Sequence, residues 1–200
     1  MNNVPSLSAP GFIAAFAIGE LNDASEAILG DLVLKVRTST PEYKGYRVSF
    51  SPRVSGYSCA SGGSLPFSGG CFKSRFDIPV GSDFAEVHVP FSSFSDHWSS
   101  ATGDQTIKCS DDPSVCPSEH DLKHIRWIEV WGEGVAGDVH LEIDSIYARY
   151  MQTDMKSKTS TPDIPLITFD GEPSTTYNFE QTNDPVMVSL NYWKYLVFKY

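Results

Sequence analysis

Apolar and polar residues alternate along most of the chain in short runs, which are separated by glycine, proline, serine and aspartate. Alternation with a period of two is typical of β-strands that bury one face, and here it predicts seven strands before residue 150. Antiparallel strands joined by irregular loops favour an all-β sandwich or barrel. The predicted strands are Phe12–Ile18, Asp31–Thr38, Tyr46–Ser51, Phe72–Ile78, Ala85–Val89, Ile125–Trp131 and Val139–Tyr147.

Helical periodicity is weak before residue 150, and single helical turns are predicted only within Asn22–Ile28 and Ser118–Lys123. Side chains two positions apart on a strand point to the same face, so strand parity also predicts which residues face the core. The residues expected to point inward are Leu34, Val48, Phe76, Val89 and Ile143.

The pattern changes after residue 150 and divides the chain into three parts. Residues 1–150 hold the predicted sandwich, and residues 151–165 are polar and read as an exposed linker. A tail at 166–200 contains a further predicted strand at Leu166–Phe169 and a strongly β-prone ending at Tyr192–Tyr200.

Composition narrows the classes of partner. The 200 residues carry a formal net charge of −10, which repels a phosphate backbone, so no nucleic-acid partner is expected. The longest apolar run, Phe12–Ile18, is far shorter than the roughly 20 residues of a membrane-spanning helix. It also lacks a basic flank, so we expect neither an integral membrane segment nor a signal peptide there.

Four cysteines fall into two local pairs, and each pair flanks a segment rich in turn-forming residues. Four cysteines allow three disulfide connectivities, and the nearest-neighbour one closes the shortest loops. We therefore expect the disulfides Cys59–Cys71 and Cys109–Cys116, which indicate an oxidising compartment or secretion. Four reduced thiols and a zinc site are the alternatives, although the spacing is wider than in common zinc sites.

Several segments, taken in order, resemble the CIA30 family, the complex I intermediate-associated protein 30 domain. The most specific pieces are Val-Pro-Phe-Ser-Ser-Phe at 89–94 and Leu-Glu-Ile-Asp-Ser-Ile at 141–146. The segments that carry the resemblance are Val4–Phe12, Gly30–Arg37, Tyr46–Phe50, Phe72–Pro79, Phe84–Phe94, Leu122–Arg126 and Gly137–Ala148.

This resemblance implies a galactose-binding-domain-like jelly roll. It also implies a non-catalytic, chaperone-like factor that binds assembly intermediates of a membrane complex such as NADH:ubiquinone oxidoreductase. The family implies no cofactor and no catalytic residue, and its best-known members are mitochondrial, with others in plastids. The paired cysteines depart from this pattern, because they are not typical of members in the mitochondrial matrix.

The opening motif of the family is found at the opposite end of this chain. Thr168-Phe-Asp-Gly and Asn183-Asp-Pro-Val-Met resemble the start of a CIA30 domain, with Val188 and Ser189 in place of the usual Gly-Gly. The tail is therefore interpreted as the start of a second copy in a tandem protein. The alternative is a tail that folds back and supplies the first strands, as in a circular permutation.

Three groups of polar residues suggest chemistry, and for each the simpler interpretation is preferred. His120 and His124 would share one face of a helix and could ligate a metal, but an exposed loop is expected. The carboxylates of Asp111, Asp112 and Glu119 lack the alternating ligands of a calcium loop. Glu142 and Asp144 share a strand face, and we expect them to form a polar surface rather than an acid–base pair.

Aromatic residues are the stronger indication of a binding site. Trp127 and Trp131 share strand parity, and most aromatic rings are expected in the core. Tyr57, His97 and Trp98 lie in predicted loops and are the candidate contacts to a protein partner or a glycan. A protein-binding assembly factor is therefore the preferred function, a carbohydrate-binding module is the alternative, and an enzyme ranks third.

Overall fold

The computed structural model describes residues 12–53, 71–99, 102–151 and 162–168, and the strand backbones at 175–181, 187–191 and 195–199. These residues form eleven strands and one short α-helix, α1 (Glu119–Lys123). The strands are β1 (Phe12–Gly19), β2 (Asp31–Arg37), β3 (Tyr46–Ser51), β4 (Phe72–Arg75), β5 (Ala85–Pro90), β6 (Trp127–Glu133), β7 (His140–Arg149), β8 (Ile164–Thr168), β9 (Thr175–Gln181), β10 (Met187–Asn191) and β11 (Tyr195–Lys199).

Two antiparallel sheets make up the fold, which confirms the predicted all-β sandwich. One sheet has the strand order β4-β3-β6-β1-β9, and the other has the order β10-β11-β7-β2-β5. Strand β8 pairs with the second half of β7, on the edge whose first half pairs with β11. The first sheet therefore has five strands and the second has six. Leucine, valine and phenylalanine from both sheets pack into one continuous core between them.

The five residues predicted from strand parity to face the core are all buried. Leu34 and Val48 are inaccessible to solvent, and Phe76, Val89 and Ile143 are at most 6% exposed. The densest part of the core is aromatic, because the ring centroid of Phe50 lies 5.0–6.0 Å from those of Phe72, Phe91 and Phe94.

Most strand ends differ from the prediction by one to three residues, and two of these differences have local reasons. Strand β4 ends at Arg75 instead of Ile78, because the chain turns inward to bury Phe76 and Ile78. Strand β6 begins at Trp127 instead of Ile125, because the backbone carbonyl of Ile125 accepts a hydrogen bond from Leu21 outside the sheet. The apolar alternation runs through both ends and therefore did not mark them.

Strands from the last part of the chain pair with strands of both sheets. The backbone of β9 pairs with β1 over Ile13–Gly19, and β11 pairs with β7 over His140–Ile143. Strand β8 begins at Ile164, inside the segment that was predicted as linker, and its Leu166 and Ile167 are buried. The division of the chain into a domain, a linker and a tail copy stays a prediction.

The helical turn predicted near residue 120 is present as α1. Ser118 and Asp121 form a reciprocal capping box at its start, and Leu122 anchors it in the core. The other predicted turn is a 3₁₀ helix at Ser25–Ala27. Within the described ranges no helix is long and apolar enough to cross a membrane.

A disulfide joins Cys109 to Cys116, as predicted. The loop that it closes contains a 3₁₀ turn at Pro113–Val115, in which the side chain of Asp112 accepts a hydrogen bond from the backbone of Ser114. Val115 is buried, and its carbonyl accepts a hydrogen bond from the backbone of Asp96. The disulfide therefore stabilises a loop that packs against the segment following β5.

Replacing both Cys109 and Cys116 with serine is expected to lower the free energy of unfolding by about 2 kcal/mol. The cross-link restricts the unfolded chain, and the expected loss is modest because the closed loop is short. Urea denaturation of the wild type and of C109S/C116S without reductant measures the difference. Equal free energies of unfolding for the two proteins would show that the cross-link does not contribute to stability.

Candidate functional site

The outer face of the five-stranded sheet, which points away from the core between the sheets, carries an unusual set of side chains. Strand register places Phe12 opposite Glu133 and Phe16 opposite Glu129. On the other side of β6, Arg47 lies opposite Trp131. Outer faces of sandwiches are normally polar and solvated, whereas this one combines aromatic rings with buried charges.

Lys73 and Glu133 form a buried ion pair on this face. Lys73 Nζ lies 2.6 Å from Glu133 Oε1, and the lysine side chain is 0% exposed. The ammonium lies 4.4 Å from the ring centroid of Trp131 and 5.3 Å from that of Trp98. Burial lowers the pKa of Lys73, while the carboxylate of Glu133 opposes that shift and favours the charged lysine.

Arg47, which is also buried, fastens a loop onto the sheet. Its guanidinium donates hydrogen bonds to the carbonyl oxygens of Lys44, Tyr46 and Gly103. Arg75 donates to the same Gly103 carbonyl and pairs with Asp104. Gly103 adopts a left-handed conformation, φ +67°, which suits glycine because it has no Cβ.

A hydrogen-bonded chain connects the middle of the face. The indole nitrogen of Trp131 donates to Ser49 Oγ at 2.8 Å, and Ser49 donates to Glu129 Oε2 at 3.1 Å. Glu129 is fully buried, and its negative charge also favours the protonated form of Lys73. We call Arg47, Lys73, Glu129 and Glu133 the charged cluster; it carries two positive and two negative formal charges.

Beside the charged cluster lie two aromatic pairs, which we call the aromatic strip: Phe12, Phe16, Trp127 and Trp131. The centroids of Phe12 and Trp131 are 5.3 Å apart, and Phe16 stacks on Trp127 at 5.0 Å. The two tryptophans are buried, whereas the two phenylalanines are partly exposed. Phe12 and Phe16 are thus the accessible members of the strip.

The expectation that Trp98 is an exposed contact is wrong. Its side chain is only 1% exposed, because its indole nitrogen donates to the carbonyls of Lys73 and Ser95 and its ring covers the Lys73 ammonium. His97 is partly exposed and pairs with Asp96, with 2.7 Å between His97 Nδ1 and Asp96 Oδ1. Tyr57, the third predicted contact, lies outside the described residues.

The second predicted disulfide is only partly within the described chain. Cys71 is disulfide-bonded and buried beside Ala14 and Trp131, close to the aromatic strip. Cys59 lies outside the described residues, so the pairing Cys59–Cys71 stays a prediction.

Carboxylates that suggested chemistry are engaged elsewhere. The side chain of Asp112 caps the 3₁₀ turn before Cys116. Glu142 pairs with Arg37 at 2.5 Å, and Asp144 pairs with Lys35 at 3.1 Å, on the outer face of the other sheet. The two acids share a face, as predicted, but each is neutralised by a cation from β2.

Sequence reasoning missed the charged cluster, although one signal was present. Lys73 and Arg47 alternate with the apolar residues of their strands, and this pattern does not distinguish a buried charge from a solvated one. The signal was their shared face with Trp131, because a tryptophan at an outward position requires cover that also buries its neighbours.

Comparison with known proteins adds no assignment. No protein-family model, no curated protein and no solved structure matches this chain significantly. The resemblance to the CIA30 family therefore rests on the sequence segments alone.

Proposed function

We propose that this chain is a non-catalytic protein-binding module, of the kind that holds intermediates during the assembly of a membrane protein complex. The observation that carries the proposal is the aromatic strip, in which Phe12 and Phe16 remain partly exposed on the outer face of a sheet. Partly exposed aromatic residues at the centre of a face are typical of protein-binding hot spots.

The charged cluster supports this proposal by making the face rigid. Lys73 is paired with Glu133, and Arg47 is bound to three backbone carbonyls. Through the Gly103 carbonyl and the Trp98 ring, Arg47 and Lys73 hold the segment that carries Trp98 and Gly103 on the sheet. A rigid, preorganised surface binds a partner with less loss of conformational freedom.

Carbohydrate binding is less well supported by the described residues. A sugar ring stacks on an open aromatic face, but Trp98, Trp127 and Trp131 are each at most 7% exposed. A protein side chain can instead pack against the smaller exposed parts of Phe12 and Phe16. We therefore propose protein binding, and carbohydrate binding is kept as the alternative.

Replacing Phe16 with serine is expected to weaken partner binding by about tenfold or more, which corresponds to the loss of one hot-spot side chain. The experiment uses the immobilised full chain and an extract of the source cell, and subunits of membrane-complex intermediates are quantified by mass spectrometry. The matched control is His88→Ser, which changes an exposed residue on the outer face of the other sheet.

Retention of the same subunits by the wild type and by Phe16→Ser would contradict the proposed face. Loss of these subunits in His88→Ser, with retention in Phe16→Ser, would place the contact on the outer face of the six-stranded sheet. A signal on a glycan array that disappears in Phe16→Ser, without retained protein subunits, would replace the proposal with the carbohydrate-binding alternative.

A further inference from the structure

His120 lies in α1 and His124 caps the end of this helix, far from the aromatic strip in sequence. Their imidazole centroids are 4.5 Å apart, and both residues are exposed. Histidines four positions apart on a helix project from one face, which is the spacing that zinc-binding helices use. Helix α1 ends at Lys123 and His124 is its C-cap residue, yet the structure still brings the two rings together.

The hydrogen bond of His124 fixes which nitrogen is available. Its Nδ1 lies 2.8 Å from the backbone carbonyl oxygen of His120, and a carbonyl only accepts, so Nδ1 carries the proton. In the neutral imidazole the lone pair is then on Nε2, which is free of that contact. A backbone carbonyl bound to the second nitrogen is also the usual way in which metal-ligating histidines are oriented.

The backbone beneath the pair is held in place. The capping box of Ser118 and Asp121 fixes the start of α1, and Leu122, between the two histidines, is fully buried. The backbone amide of His124 also donates to the carbonyl of Asp121. These contacts limit the loss of freedom when both rings bind one ion.

We propose that His120 and His124 form a surface chelate for a borderline divalent cation such as Zn²⁺. Imidazole nitrogen suits this class of ion better than it suits Mg²⁺ or Ca²⁺, which take oxygen ligands. Within the described ranges no third histidine, cysteine or carboxylate completes the site. The remaining coordination positions are therefore open to water or to a donor from another molecule.

The nearby charges favour a cation over an anion. Asp23 precedes Ala24, whose backbone amide donates a hydrogen bond to the carbonyl oxygen of Leu122, so its carboxylate lies on a segment that packs against α1. Glu119 adds a second carboxylate in the first turn of α1. The positive charge of Lys123 opposes the effect of these carboxylates. Most of the affinity for the cation must therefore come from the two imidazole nitrogens and not from the surrounding charges.

Isothermal titration of the tag-free, oxidised full chain with ZnCl₂ tests the proposal. We expect one Zn²⁺ per chain, and we expect His120→Gln and His124→Gln each to weaken binding at least about tenfold. That estimate is a lower bound, because loss of an indirect partner of a metal ligand already costs that much. The matched control is His88→Gln, an exposed histidine beside two carboxylates, which should bind like the wild type.

Circular dichroism of the variants verifies that they are folded, which is expected because both side chains are exposed. Absence of binding at millimolar Zn²⁺ would overturn the proposal. Wild-type affinity in both pair variants would overturn it as well. Loss of binding in His88→Gln with retention in the pair variants would move the site to the Asp31–His88–Glu86 group.

Discussion

Replacing Glu133 with leucine is expected to lower the free energy of unfolding by about 3–5 kcal/mol. The substitution leaves the Lys73 ammonium, which is fully buried, without the carboxylate that lies 2.6 Å from it. A buried charge that loses its partner must either remain poorly solvated or lose its proton, and both cost free energy. Chemical denaturation monitored by tryptophan fluorescence measures the loss, since Trp98 and Trp131 lie beside the pair.

The double variant Lys73→Met/Glu133→Leu separates the cost of an unpaired charge from the net contribution of the pair. Because both charges are removed together, we expect it to be less destabilised than Glu133→Leu alone. Apolar replacement of a complete buried pair is often close to neutral. A double variant as unstable as the sum of the single ones would show that the two residues act independently.

The charged cluster also explains how the segment after β5 is held on the sheet. Lys73 exchanges backbone hydrogen bonds with Ser95, and Trp98 donates to the carbonyls of the same two residues. The side chain of Lys73 then passes beneath the Trp98 ring to reach Glu133. The backbone and the side chain of Lys73 thus both hold the segment that carries Trp98 against the edge strand β4.

The strands that could be predicted from the sequence are those with one clearly apolar face. In β2, Leu32, Leu34 and Val36 face the core while Lys35 and Arg37 are only partly buried, so alternation and burial agree except at Val33, which is also buried. The short helix could be predicted as well, because Ser118 and Asp121 stand at the spacing of a reciprocal cap. In these cases the signal is local, and tertiary contacts reinforce it.

The charged cluster could not be predicted, because its burial depends on contacts between distant parts of the chain. Alternation correctly places Lys73 and Arg47 on the outward face, but it does not show that a loop with Trp98 covers that face. The environment of Trp98 is likewise non-local, since its hydrogen-bond acceptors include Lys73, 25 positions earlier. An alternating pattern predicts the sheet face on which a residue lies, but it does not predict whether another part of the chain covers that face.

The unpredicted strands β9 and β10 show a different limit. Strand β9 has the sequence TTYNFEQ, which is mostly polar and in which the apolar alternation is limited to Tyr177 and Phe179. Its identity as a strand comes from backbone pairing with β1, over Ile13–Gly19. An available edge can thus recruit a strand whose own residues give a weak signal, because the ladder hydrogen bonds come from the backbone.

Replacing Phe50 with alanine is expected to destabilise the sandwich by about 3–5 kcal/mol, the range for truncating a fully buried phenylalanine. Phe50 is inaccessible to solvent and lies at the centre of the aromatic group formed with Phe72, Phe91 and Phe94. Phe72 lies in β4, whereas Phe91 and Phe94 lie in and directly after the 3₁₀ turn Phe91–Ser93 that follows β5. The neighbours are thus held by separate elements and cannot all close the cavity. Urea denaturation with a linear extrapolation measures the difference.

The matched control for Phe50 is Val80→Ala, which removes apolar atoms from a side chain that is 87% exposed. We expect its effect to stay within about 0.5 kcal/mol, as for most surface substitutions. Similar losses in the two variants would mean that Phe50 does not lie in a closely packed interior. A large loss of unfolding free energy in Phe50→Ala alone would instead show that β3 and the turn after β5 share one core. The cost of a cavity arises only where closely packed neighbours surround the missing ring.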